Sequence, residues 1–191
     1  MALGLHGVIK TSHFERGVRR MADNTYTIGI AGHRKLPSGC HEALTEEIRS
    51  FYRDKAAKYG KDNLTVLSSL AEGADTLCAR LALDMDLRLV VPLPMNALEY
   101  RRSFPDRAAA EYDCLLSLAD QVFVVSPEEP VPPDPGRGFY YRQAGIYVAK
   151  HCDALLAVWD GEKRDTADGA GTWETIKLSQ MYRKPVYVTT H

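Results

Sequence analysis

His151-Cys-Asp-Ala-Leu-Leu-Ala-Val-Trp-Asp-Gly161, followed by Asp168-Gly-Ala-Gly-Thr-Trp-Glu174, decides how this chain folds. The run Ala154–Val158 is short and continuously apolar, with Asp153 before it and Asp160-Gly161 after it. That is the pattern of a strand buried on both faces. The second segment is a Gly-rich turn opening a helix over about Thr172–Arg183. A strand that runs into such a turn gathers unpaired backbone N–H groups at one point, at the positive end of the helix dipole. Phosphate or another anion suits that point. Gly169 and Gly171 let a ligand approach the backbone, or they simply turn the chain.

The same alternation extends in both directions. Upstream, strands are expected at Tyr26–Ala31, Leu64–Ser68, Leu87–Leu93 and Gln121–Ser126. Between them, helical spacing runs from about residue 40 to Tyr59, from Ala71–Asp75 to Met85, over Ala97–Phe104 and over Arg107–Leu118. Pro127–Gly138 holds five prolines and reads as an irregular loop, followed by a helix over Tyr140–Lys150. Pro185–Thr189 supplies the last strand. Alternating strands and helices call for one mostly parallel sheet with helices on both faces, a doubly wound Rossmann-like α/β fold. Residues 25–191 are expected to form this one domain. Residues 1–24 read as a loosely ordered extension, and Met21 is an alternative start.

The chain has 191 residues, a net charge of −1, and 45% hydrophobic and 26% charged residues. That size supports a full core. The charge balance gives no electrostatic case for nucleic acid or an anionic membrane as the main partner. Cys40, Cys78, Cys114 and Cys152 form no C-x-x-C pair and read as reduced thiols of a cytoplasmic protein. His33, His41 and His151 stand apart, so no metal is expected, and nothing calls for a cofactor. Association with further copies of the chain is left open.

In a doubly wound sheet, ligands bind beyond the C-terminal strand ends. Three turns fall there: Gly32-His33-Arg34, Glu72-Gly73-Ala74-Asp75, and Asp160-Gly161 with Asp168–Glu174. Arg34 has the fork to clamp a phosphate, or pairs with a surface carboxylate. His33 beside it reads as a polar lining group. Gly73 and Ala74 are small enough for close approach. Asp75 either accepts ribose hydroxyls or caps its helix. Arg142, in the helix before Asp153, is placed to reach a phosphate or to stay solvated. Tyr140, Tyr141 and Trp173 are candidates to stack on a base or to pack.

Thr27-Ile-Gly-Ile-Ala-Gly-His-Arg34 with Ser68-Ser-Leu-Ala-Glu-Gly-Ala-Asp75 resembles the nucleotide-binding Rossmann-like domains of the SLOG superfamily, especially the turn of DNA-processing protein A. Asp153–Gly161 with Gly169-Ala-Gly-Thr172 resembles the lonely-guy phosphoribohydrolases. More distantly, the order of Asp-Gly, Gly-Thr and Lys184-Pro185-Val186 looks like that of nucleoside deoxyribosyltransferases. The resemblance implies a pocket for a nucleotide or nucleotide-derived ligand. Gly169, Gly171 and Thr172 match its phosphate loop, and Glu72, Gly73 and Asp75 its second turn. In the related enzymes a catalytic Glu stands three residues after the Gly-Thr threonine, which here is Thr175. Glu174 stands one position earlier, about 100° around the helix, and Glu162–Ala167 is an insertion.

Three functions are therefore expected to compete. The first is a nucleotide sensor or ligand-binding module using Gly32, His33, Arg34, Glu72, Gly73, Ala74, Asp75, Arg142, Asp160, Gly161, Gly169, Gly171 and Thr172. The second is an enzyme that cleaves or transfers an N-glycosidic bond, with Glu174 or Asp160 catalytic. The third is single-stranded DNA binding, which the resemblance allows and the near-neutral charge disfavours.

Overall fold

The structure, a computed structural model, describes residues 25–37 and 41–190. The expected N-terminal extension and the choice of start lie outside the described residues. Six strands, β1 (Tyr26–Gly32), β2 (Leu64–Leu67), β3 (Arg88–Leu93), β4 (Gln121–Val124), β5 (Ala154–Val158) and β6 (Val186–Thr189), form one sheet in the order β4-β3-β2-β1-β5-β6. Every pairing is parallel. The helices are α1 (His41–Tyr59), α2 (Ala74–Asp84), α3 (Ala97–Arg101), α4 (Asp106–Leu118), α5 (Arg137–His151) and α6 (Thr172–Met181).

Burial follows position in the sheet. All five residues of β5 are buried, while the edge strands β4 and β6 are largely exposed. Side chains alternate between the two faces. Ile28, Ile30, Leu156 and Val158 join the core under α1, α2 and α4, with Leu44, Ile48 and Tyr52 of α1 packed into it. Ala31, Leu155, Ala157 and Trp159 meet Val148 of α5 and Ile176 of α6 on the other face. The chain therefore winds outward from β1 to β4 on one face. It crosses back through α5, so β5 lands on the opposite side of β1. The β1/β5 boundary is the topological switch point. There the register runs from Ile28 opposite Ala154 to Gly32 opposite Val158.

Short side chains fix the strand starts. The Asp153 carboxylate accepts from the Thr27 N–H at 2.8 Å, and Asp120 accepts from the Leu89 N–H at 2.8 Å. Asn96 caps α3 by accepting from the Leu98 N–H at 3.0 Å. Helix α5 begins at Arg137, three residues before the expected start, and Asp168 packs against Gly138 in its first turn. Helix α6 ends at Met181, and Arg183 takes a positive φ of 56° just after it. No described helix is long and apolar enough to cross a membrane.

Candidate functional site

Two glycines set the geometry at the strand ends. A Cβ on Gly32 would collide with Ala74, and one on Gly73 would collide with the backbone of His33 and Arg34. Gly73 also holds φ at +96°, a conformation natural to glycine. The N-terminus of α2 therefore seats directly on the turn after β1. The Ala74 N–H donates to the His33 carbonyl at 3.0 Å, and the His33 N–H donates to the Val158 carbonyl at 3.2 Å. These contacts lock the ends of β1 and β5 and the start of α2 into one frame.

Above this frame lies a cavity of about 460 Å³, within the usual range for small-molecule sites. The three distinctive turns and the N-terminus of α6 converge on it. Gly32, His33, Arg34, Asp75, Gly171 and Thr172 line it. Its roof includes Ala144 and Gly145 of α5, whose lack of bulk leaves the space open. Tyr100 and Tyr141 form one wall, with Trp159 and Trp173 on another side. The two tryptophan rings stack at 5.5 Å between centroids and 9° between planes.

The wall near Arg34 is both aromatic and cationic. Its guanidinium carbon lies 5.8 Å from the centroids of both Phe104 and Tyr141. Asp75 is buried close by, its carboxylate 3.4 Å from the Ala71 N–H. Burial pushes the Asp75 carboxyl up to about 7, although the Ala71 amide and the Arg34 charge act against the shift. Burial also raises the Tyr100 hydroxyl far above its ordinary value. Tyr141 is pushed up by burial, but hydrogen bonds with Ser103 and Arg137 outweigh this and lower it.

Beyond β5, the Asp160 carboxylate meets His33 Nε2 at 3.1 Å and Arg164 at 2.9 Å, and accepts from the Glu162 N–H at 3.0 Å. The Glu162 amide, with His33 and Arg164, holds the Asp160 carboxyl down at about 2. Arg164 lines the cavity but is also paired with Glu162. Arg34 is thus the lining cation whose guanidinium faces rings.

The other expected site residues lie outside the cavity lining. Gly73 and Ala74 serve the packing of α2 on β1. Glu72 and Gly161 stand apart from the lining, and Gly161 faces open space. Arg142 is paired with an acidic neighbour. Its guanidinium forks onto Glu129 at 3.0 and 3.1 Å and reaches the Gly169 carbonyl at 3.5 Å. It therefore ties the proline-rich loop to the Gly-rich turn, with buried Gln143 beside it donating to the same Glu129 at 2.7 Å. The Glu174 carboxylate accepts from both the backbone and the hydroxyl of Thr166. Thr175, at the position of the enzymes' Glu in the resemblance, does line the cavity, and its hydroxyl donates to the Gly171 carbonyl at 3.2 Å.

Tyr100, Ser69, Ala144 and Gly145 escaped the sequence reading. They lie in helices or turns whose own pattern reports only core packing. A usable signal was the adjacent small pair Ala144-Gly145 in the middle of the helix. Among the described residues, no group of three His, Cys, Asp or Glu side chains is placed to hold a metal ion.

No protein-family model matches the chain, and no curated protein matches it in sequence. Solved structures of DNA processing protein A share its fold. The X-ray structure of DNA processing protein A from Streptococcus pneumoniae superposes with a TM-score of 0.57 at 15% identity, covering 86% of this chain and 50% of that one. DNA processing protein A from Helicobacter pylori, in a structure describing its single-stranded DNA binding mode, superposes at 0.53 with 16% identity, covering 87% and 66%. The chain thus spans half of the first protein and 66% of the second. At these identities the likeness is one of fold, and the resemblance to DNA-processing protein A read from the two turns holds at that level.

Proposed function

We propose that the chain binds a phosphate-bearing nucleotide or nucleotide derivative in the cavity at the β1/β5 switch point, as a sensor or ligand-binding module. The observation that carries this reading is the convergence of Arg34, the tyrosine wall and the α6 N-terminus on one nucleotide-sized cavity. Arg34 is the clamp for phosphate: its guanidinium lies against the Phe104 and Tyr141 rings, and its fork suits an oxyanion. Tyr141, half-buried at the cavity wall, offers ring surface to a base. Binding is favoured over cleavage because Thr175 lines the cavity where the related enzymes have a Glu. Asp160 and Glu174, the two candidate catalytic carboxylates, are engaged by neighbours.

Single-stranded DNA is the second reading. It is supported by the DNA-binding neighbour of the same fold and by Trp173, half-buried, with Lys163 and Lys177 within 5.2 and 5.6 Å of its ring. Such aromatic and cationic lips suit stacked bases and backbone phosphates.

Calorimetric titration with the four ribonucleoside 5′-monophosphates and with a thymidine 20-mer separates the two. Saturable monophosphate binding, weakened at least tenfold in Arg34→Gln, supports the first reading. Tight oligonucleotide binding with no mononucleotide binding supports the second and overturns the first.

A further inference from the structure

We infer that Asp75 and the ligand phosphate compete for the charge of Arg34, so that a nucleotide enters the cavity together with a proton, which Asp75 takes up. The inference rests on the nucleotide reading above and assigns the regulation of that site by pH. Asp75 and Arg34 both line the cavity, and Asp75 is 7% exposed. The Asp75 carboxylate is poorly compensated for leaving water. Its contact with the Ala71 N–H is 3.4 Å long, beyond the roughly 2.7–2.9 Å of a good charge-assisted bond. The Ser68 hydroxyl, which also favours the carboxylate, is shared with the Asp75 backbone carbonyl at 3.3 Å.

Among the groups that act on Asp75, Arg34 carries the positive charge. Cys78 of α2 and Tyr52 of α1 feel the Asp75 charge, and burial keeps both of them protonated. Tyr100 of α3 feels it too and is held neutral in the same way, in ring contact with Tyr112 of α4 at 5.7 Å. On the β1 side the His33 imidazole meets Asp160 at 3.1 Å. From α5, Tyr141 lies against Arg34, its ring centroid 5.8 Å from the guanidinium carbon. Burial favours the protonated carboxyl and Arg34 the ionised one, and the two forms balance at about 7. A phosphate on Arg34 moves this balance in one direction. It occupies the charge that favours the carboxylate and brings negative charge of its own into the same cavity. Asp75 then binds a proton as the phosphate binds Arg34. Below about pH 7 Asp75 already holds that proton and the coupling is absent. Above it, affinity falls by up to about tenfold for each pH unit, because each binding event draws a proton from solution. The second ionisation of the phosphate, at about pH 6, lies below this window.

The test is calorimetric titration with the four ribonucleoside 5′-monophosphates at a series of pH values. Wild-type affinity is expected to fall about tenfold or more between about pH 7 and about pH 8.5. At about pH 8, titrations in buffers of different ionisation enthalpy are expected to show uptake of nearly one proton per nucleotide. This wild-type measurement needs no variant. In Asp75→Asn, verified as folded by thermal melting, the fall and the proton uptake are expected to vanish, and binding above pH 8 to become tighter than in the wild type. Affinity that does not change with pH, no proton uptake, or a variant that binds more weakly at every pH, as a hydroxyl acceptor would, overturns the inference and leaves the nucleotide reading standing. Failure of every monophosphate to bind overturns both.

Discussion

Asp75 and Arg34 show how a single buried charge tunes the site. Asp75 carries a carboxyl raised from its ordinary 3.8 to about 7, with burial the main cause. Below about pH 4 the folded and unfolded chains both hold this proton, and the group does not penalise folding. Between 4 and 7 the unfolded chain releases the proton while the folded chain keeps it. Stability therefore falls as pH rises through that window and levels off above 7, by up to about 4 kcal/mol. Asp75→Asn is expected to remove this component. Urea unfolding at a series of pH values reads it as a flatter stability profile between 4 and 7. An unchanged profile would show that Asp75 ionises freely. None of this is legible in the sequence, where Asp75 also reads as a helix cap. Arg34 and Tyr100, which lie close enough to act on its charge, come from other parts of the chain.

At the scale of elements, strands and turns were legible because their signals are local. A buried strand needs an apolar run, and a turn needs glycine, proline or a short polar residue. The expected bounds of β5 were met residue for residue, and the other strands differed by one or two residues at their ends. The uses of the turn residues were less legible. In the sequence Gly73 offers room for close ligand approach, yet what approaches it is the backbone of His33 and Arg34. Gly73→Ala is therefore expected to destabilise the fold by on the order of 2 kcal/mol or more, through both the positive φ and the collision. A thermal melt with ligand absent checks this. A melting temperature within a degree of the wild type would mean that α2 does not seat on β1 as described. Arg142 carries the same lesson. Its partner Glu129 lies in a proline-rich loop with no periodicity to place it, so no sequence pattern announces the pair. The contact belongs to the crossing of α5 over two loops.

For the whole molecule, six parallel strands in the order β4-β3-β2-β1-β5-β6 place the reversal of direction across the sheet between β1 and β5 among the described residues. The sequence predicted convergence at the C-terminal strand ends from topology alone. Three distant turns meet there around one cavity, joined by α5 and Tyr100, which only packing could bring in. The fold is shared with DNA processing protein A, but fold does not carry ligand identity. Function has to be argued from the cavity. The most direct measurement is an amide-resolved NMR titration of the isotope-labelled chain with ribonucleoside 5′-monophosphates. Saturable shifts at Gly32–Arg34, Asp75 and Thr172–Trp173 are expected, centred on the β1/β5 switch point. Shifts confined to another surface, or none while a single-stranded oligonucleotide moves residues outside the cavity, would contradict the assignment of the cavity as a nucleotide site.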